Sequence, residues 1–390
     1  MSADNYKKTE DQGARAYTTI SSSFGTNLRV TISGGSHEPH IGVTIAGLPA
    51  GIPIDLDRIS QFLARRAPGN SIFATPRKEP DIPEIISGLE SGRTTNQPLI
   101  AIIRNTNIRS QDYGALRDVP RPGHADYTAA VKYGGSVNMA GGGPFSARLT
   151  APLCIAGAIA IQLLGGCGIH LGAHIYSVGG IQDRPFDPVR VSPADFALAQ
   201  NRAFPVLDEA QGEAMGEVIR AAMTDGDSVG GVVECCALGL PAGLGGPMYD
   251  GIEGRLSQIF FGIPAVKGVE FGNGFQCAAL FGSQNNDAFC MEGQTVRTVT
   301  NNHGGILGGI SSGMPLICRL AFKPTPSIYR EQSSVSLSRG TTERLQVAGR
   351  HDPCVVVRAV PIVEAALGIG LLDLFLGEKA LQQNIVNLAN

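Results

Sequence analysis

Apolar positions along this chain follow two periods, one near 3.6 and one near 2, and the switch between them marks the elements. Isoleucine, leucine and phenylalanine at helical spacing predict helices over 56–65, 126–133, 149–164, 193–203, 207–223, 252–260 and 355–376. Short apolar runs bounded by glycine, proline or polar clusters predict strands over 27–32, 42–47, 98–104, 230–238, 266–271, 275–281, 293–299 and 315–322. Several of these strands follow one another with no helix between them, so antiparallel pairing should dominate. The longest apolar segments are 151–164 and 355–376. The first is too short to span a bilayer and the second carries Arg358, Glu364 and Asp373, so both read as buried helices and no membrane is implied.

One pattern occurs twice. GVTIAGLPAG at 42–51 leads into IPIDLDRISQFLARR, and GVVECCALGLPAG at 231–243 leads into LGGPMYDGIEGRLSQIF. Each is an apolar strand, a Gly-Pro turn and an amphipathic helix. Further on, SGLESGRTTNQPLIAII at 87–103 is echoed by GGISSGMPLICRLAF at 308–322, in the same order. Two copies of one supersecondary unit in a single pseudo-symmetric domain account for this.

Composition narrows the class. The 390 residues suffice for one large domain with ample core, and 43% hydrophobic against 17% charged content is that of a globular chain. The net charge of −3 and the absence of a basic block give no footprint for nucleic acid. Eight cysteines contain no CxxC pair, so neither a redox dithiol nor a metal site is signalled. Cys154, Cys235, Cys277 and Cys318 lie in apolar runs and read as small core hydrophobes. A reduced, cytoplasmic setting fits this usage. Residues 1–24 read as a loose polar extension without an apolar stretch, 25–378 as one folded domain with two related halves and 379–390 as a tail.

The chemistry concentrates in GGSHEPHIGVTIAGLPAG at 34–51, RPGHADYTAAVKYGG at 121–135 and GRHDPC at 349–354. Each sets a histidine or aspartate among glycines, prolines and an arginine. That combination suits backbone folded tightly around an anion with a titratable group aimed at it. Arg66, Arg121, Arg148 and Arg350 stand beside such turns, and their planar forks of donors match phosphate or carboxylate. Arg65 and Arg77 read as surface salt-bridge formers. His40, His170 and His174 have no motif around them and read as structural, whereas His303 in NNHGG is open between ligand contact and turn formation.

These segments resemble the chorismate synthase family, and the likeness runs from about 25 to 378. SHEPHIGVTIAGLPAGIPID, RRAPG, TPRKEPDIPEIISG, RTTNQPL, RSQDY, RPGHADYTAAVKYG, SARLTA, GDSVGGVV, VKGVEFGNGF, NNHGGILGGISSG, KPTPSI and GRHDPCVVVRAVPIVEA match in order and spacing. The resemblance implies an α+β fold, a pseudo-symmetric single large domain with helices sandwiched between antiparallel β-sheets, in a homotetramer. It implies anti-1,4-elimination of phosphate from 5-enolpyruvylshikimate 3-phosphate to give chorismate, with reduced FMN and no net redox change. NADPH would enter only as a reductant of the FMN. By the same resemblance His37 is the histidine on the phosphate side, His124 the one beside the flavin, and Asp352 the carboxylate that relays the C6 proton. Ser36, Arg66, Arg121 and Arg148 match substrate-binding positions. Ser146, Ala147, Gln284, Asn285, Gly308, Lys323, Pro324, Thr325, Ser327 and Arg350 match FMN-binding positions.

The chain also departs from the family pattern. Gly35 and Glu38 stand where the family's first motif has glutamate and glycine. Pro144, Phe145 and Leu149 replace the polar members of its arginine-serine-serine-alanine-arginine-glutamate-threonine run, Ile72 replaces a frequent arginine, and Pro326 replaces a serine. Those departures leave a second reading, a catalytically impaired paralogue that binds flavin or an anion. A flavin oxidoreductase is disfavoured because no strand-GxGxxG-helix with a downstream acid is present.

Overall fold

The computed structural model describes residues 22–69, 73, 79–106, 118–347 and 351–389. Arg77, Ile72 and Arg350 lie outside the described residues, as does most of the polar extension.

In chain order the main elements are β1 (Ser22–Phe24), β2 (Arg29–Gly34), β3 (His40–Ala46), α1 (Leu56–Arg66), β4 (Glu84–Ser87), β5 (Leu99–Arg104), α2 (Asp126–Tyr133) and α3 (Thr150–Gly166). The chain continues through β6 (His170–Val178), β7 (Ile181–Gln182), α4 (Pro193–Gln200), α5 (Glu209–Thr224), β8 (Gly231–Leu238), α6 (Ile252–Phe261) and β9 (Val266–Phe271). It closes with β10 (Phe289–Glu292), β11 (Thr295–Thr298), β12 (Leu316–Phe322), β13 (Gln332–Ser336), β14 (Thr341–Leu345), α7 (Val356–Gly377) and α8 (Lys379–Asn387). One antiparallel sheet has the order β1-β2-β3-β5-β4 and the other β9-β12-β8-β6-β7. Helix α3 packs beneath the first sheet with α1 against α3 and α7, α6 and α7 pack beneath the second, and α3 meets α7 in the middle. The layering is therefore sheet, helices, helices, sheet.

The internal repeat accounts for this symmetry. Four strands in the order β2-β3-β5-β4 correspond to β6-β8-β12-β9, α1 corresponds to α6, and α3 to α7. Both Gly-Pro turns are closed by glycines in the left-handed region, Gly47 at φ 94° and Gly239 at φ 81°. A β-carbon there would fall 2.0 Å from Asn27 O and 2.3 Å from Gly168 O, so only glycine fits. The turns are then clipped in the same way. Thr94 Oγ1 donates to Pro49 O (2.6 Å) and accepts from Ile52 N (2.9 Å). In the other half Ser311 Oγ donates to Pro241 O (2.5 Å) and accepts from Leu244 N (2.9 Å).

The two apolar segments become the central helices. In α7, 19 of 22 residues are buried, which is the pattern of a core helix enclosed on all sides. Its three charges each find a partner from elsewhere in the chain. Arg358 pairs with Asp352 (3.0 Å), Glu364 with Arg65 (2.6 Å), and Asp373 Oδ1 accepts from the backbone N–H of Thr26, Asn27 and Leu28 (2.7–2.9 Å).

The pattern and the structure differ locally. Residues 275–281 form no strand: Gly274–Ala279 is a 3-10 turn, because Gly272 N bonds Ile317 O and Asn273 N bonds Asn302 O, which takes the chain out of the ladder. Cys277 is consequently exposed instead of in the core. The strand expected at 293–299 does form, as Thr295–Thr298, the second strand of the exposed hairpin β10–β11. The pattern also missed β6, a central strand whose buried polar residue breaks the apolar run. That residue, His174, is fully buried with Nδ1 3.0 Å from Asp183 Oδ2 and Nε2 2.9 Å from Glu234 Oε2.

Candidate active site

The N-termini of both central helices open onto one cavity of about 360 Å³. Thr150 of α3 and Val355, Arg358, Ala359 and Ile362 of α7 form part of its wall, and the C-terminal Arg66 of α1 forms another. Unpaired N–H groups and the aligned peptide dipoles make such helix ends favourable to anions. The loop before α2 adds Arg121 and His124, the glycine-rich turn before α3 adds Gly141, Ser146, Ala147 and Arg148, and the loop after β12 adds Lys323, Thr325 and Ser327. Asp352 completes the group from the turn before α7. Segments far apart in sequence thus share one wall because α1, α3 and α7 end at the same place.

The basic groups are held by acids that sequence reasoning did not single out. Asp81, buried and at φ 49°, accepts from Arg66 Nη1 on one carboxylate oxygen and from Arg148 Nη1 on the other. Arg148 Nε also lies 3.3 Å from Glu79 Oε2 and 3.0 Å from Asn105 Oδ1, while Arg66 Nε donates to Thr150 Oγ1 (3.2 Å). Both acids stand in the motif KEPDIP, where acidic residues between arginine-bearing segments were the available signal. Arg148 Nη2 is buried with no hydrogen-bond partner among the described residues, and so is Thr325 Oγ1. Orphaned polar atoms on a cavity wall mark places where a bound polar ligand completes the bonding.

Arg121 makes a two-pronged bond to Asp126, Nε to Oδ2 at 2.7 Å and Nη2 to Oδ1 at 2.8 Å, and Nη1 donates to Ser327 Oγ (3.2 Å). Lys323 Nζ donates to Gly123 O (2.8 Å); burial and the neighbouring Lys267 hold its pKa below the ordinary lysine value. Asp352 accepts from Arg358 Nη1 at 3.0 and 3.2 Å, and Arg358 Nε donates to Arg66 O (3.0 Å). Burial pushes the Arg358 pKa down, partly opposed by Asp352.

His37 does not itself line the cavity. Its Nδ1 is 3.1 Å from Ser36 Oγ, which donates to Ala140 O (2.9 Å), so the pair is docked on the glycine-rich turn. At Gly141, φ 62°, a β-carbon would meet His37 Cε1 at 2.1 Å, so the glycine lets the imidazole approach the wall. Gln284, Asn285 and Gly308 are elsewhere: the first two end a short helix (Gly282–Asn285) beside hairpin β10–β11, and Gly308 is in the turn between Leu307 and Ile310. Pro324 follows Lys323 in the loop after β12. Of the departures, Phe145 and Pro326 are on the cavity wall.

The family model for chorismate synthase matches residues 28–376. The chain belongs to the chorismate synthase family. A chorismate synthase of Lancefieldella parvula is 46% identical over 365 residues, covering 91% of this chain and 96% of that protein. One of Thermococcus kodakarensis is 45% identical over 356 residues, covering 91% and 98%. A crystal structure of a chorismate synthase superposes with a TM-score of 0.73 at 27% identity, over 94% of this chain and 98% of the other. Membership carries the family's lyase activity, elimination of phosphate from 5-enolpyruvylshikimate 3-phosphate to give chorismate, in the biosynthesis of aromatic compounds. A flavin cofactor goes with that family. Nothing in these comparisons favours the impaired-paralogue reading.

Proposed function

We propose that the cavity between α1, α3 and α7 binds 5-enolpyruvylshikimate 3-phosphate against reduced FMN, and that chorismate forms there without net redox change. The observation that carries this is the row of Arg66, Arg121, Arg148 and Lys323 on one wall with Asp352, at two helix N-termini, with Arg148 Nη2 left unbonded.

Each residue has a task that follows from its chemistry. Arg66 and Arg148 spread positive charge over the leaving phosphate, which lowers the cost of breaking its C–O bond. His37, steadied by Ser36, gives a proton to the phosphate as it leaves. Asp352, which accepts from Arg358, takes the C6 proton. Reduced flavin, when bound, supplies electron density to the reacting carbon framework and is regenerated. His124 would balance negative charge on its ring, Arg121 is a position for holding the substrate, and Ser146, Ala147, Lys323, Pro324, Thr325, Ser327 and Arg350 are the positions for holding the flavin. NADPH has a place only as a reductant of the flavin.

Gln284, Asn285 and Gly308 would meet the cofactor if the cavity is completed by another protomer of a homotetramer. Supporting this, Phe275, Phe281, Phe289 and Met291 beside them are 63–88% exposed, more apolar surface than one hairpin leaves bare on a monomer. Residence in the cytoplasm and a domain spanning 25–378 complete the proposal.

The test is an anaerobic assay with 5-enolpyruvylshikimate 3-phosphate and dithionite-reduced FMN, reading chorismate directly. Turnover without net flavin oxidation is expected. Flavin oxidised in step with each chorismate would overturn the redox-neutral reading.

A further inference from the structure

His124 reaches the cavity in an orientation set by a neighbour that carries no assigned role. Asp126, the first residue of α2, is 7% exposed and has Oδ1 2.7 Å from His124 Nδ1. Its carboxylate is itself held by Arg121, through Nε, Nη2 and the backbone N–H (3.1 Å). We propose that Asp126 is a positioning residue for the reaction: it accepts a hydrogen bond from His124 Nδ1 and so fixes the tautomer that leaves Nε2 available on the cavity side. This rests on the reading that His124 serves the reaction.

The hydrogen count supports one arrangement. Burial alone would push the Asp126 carboxyl up, but hydrogen bonds from Arg121 and His124 outweigh it and hold the group well below the usual carboxylate range. An ionised carboxylate only accepts, so Nδ1 must carry the hydrogen. Arg121 Nη2 is also 3.1 Å from Nδ1, yet a guanidinium only donates, and a protonated Nδ1 has no lone pair for it. The two donors converge on Oδ1. Nε2 remains, on the edge of the ring nearest Gly142, where a β-carbon would stand 3.3 Å from it. The remaining ionisable groups on the wall are Arg66, Arg148, Arg358, Lys323, Glu79, Asp352 and His351. Of the cations, Arg66, Arg148 and Arg358 are already paired with Asp81 or Asp352. Asp126 is thus the anion that His124 touches, and it holds the hydrogen on Nδ1.

The experiment is ¹⁵N magnetic resonance of histidine-labelled full-length protein, with His124→Gln identifying the His124 signal, beside the pH dependence of kcat/KM. In the unaltered protein the neutral ring should carry its hydrogen on Nδ1; a hydrogen on Nε2 instead overturns the proposal without any variant. Asp126→Asn should shift the neutral-ring hydrogen of His124 toward Nε2 and lower kcat/KM, and Asp126→Glu should restore part of both. A lower melting temperature with unchanged His124 signals would make Asp126 structural only, and overturns it. A shifted His124 with an unchanged pH profile supports the positioning by Asp126 and overturns the role given to His124.

Discussion

Gly157 of α3 faces Ala365 of α7 at the point where the two central helices touch. A β-carbon on Gly157 would fall 2.2 Å from Ala365 Cβ and 2.3 Å from its Cα, so the helices cross at a distance set by a missing methyl group. Gly157→Ala must push α3 and α7 apart. The cost should be about 1–3 kcal/mol, the usual range for overpacking a tight core. Denaturant unfolding monitored by circular dichroism measures it, and a variant as stable as the parent would contradict the contact.

Thr94 and Ser311 clip the equivalent turns of the two halves, and each satisfies a buried carbonyl and a buried N–H. Thr94→Val and Ser311→Ala should each destabilise by about 1–3 kcal/mol. The two losses should be similar. A large loss for one and none for the other would show that the halves are alike in trace and unlike in energetics.

His174 gives the fold a pH dependence of predictable sign. Burial lowers its pKa, but hydrogen bonds and charge from Asp183 and Glu234 outweigh that, so the folded value is raised above the ordinary histidine value. The stabilisation is fully present below the unfolded pKa and is lost as pH rises through the folded value. Urea midpoints measured from pH 6 upward should therefore decline on the alkaline side. In His174→Gln that component of the slope should vanish, with lower stability throughout.

The three titratable residues of the site should separate by readout. Asp352→Asn keeps the shape but removes the base, so turnover should collapse while FMN still binds. His37→Ala should lower turnover by about 10²–10⁴-fold, the range for a general acid. His124→Ala should change the behaviour of bound reduced flavin as well as the rate. Steady-state rates with flavin titrations check all three, and Asp352→Asn with near-normal turnover would remove that residue from the proton path.

Gly141 offers a test that alters no titratable group. Gly141→Ala places a methyl carbon on His37 and demands a left-handed backbone of alanine. Turnover should fall at least tenfold with the far-ultraviolet spectrum preserved. Normal turnover would mean that the position of His37 against that turn is immaterial.

Helices were legible because their burial patterns are strongly periodic or wholly apolar: α2 covers the expected 126–133, and α7 lies within one residue of its expectation. Strand β6 was not, because His174 reads as polar until Asp183 and Glu234 are brought to it from other segments. The arginines and histidines of the cavity stand out in short glycine-rich motifs. Their acidic partners do not: Asp81, Glu79 and Asp126 acquire meaning only once the fold shows which cation each one touches. Counterions have no spacing rule of their own, since the pairing of Arg148 with Asp81 spans 67 residues.

The place of α7 in the middle of the sandwich has a consequence for biosynthesis. It is made after every strand of both sheets, yet it is the surface on which α3, α6 and the second sheet all rest. A growing chain that has not reached Val356 holds the strands of both sheets with α1, α3 and α6 but lacks the helix against which α3, α6 and the second sheet bury their remaining apolar faces. It must keep those faces from other chains until α7 arrives. A ribosome stalled shortly before that point should display a sticky, half-closed product, the natural client of a holding chaperone.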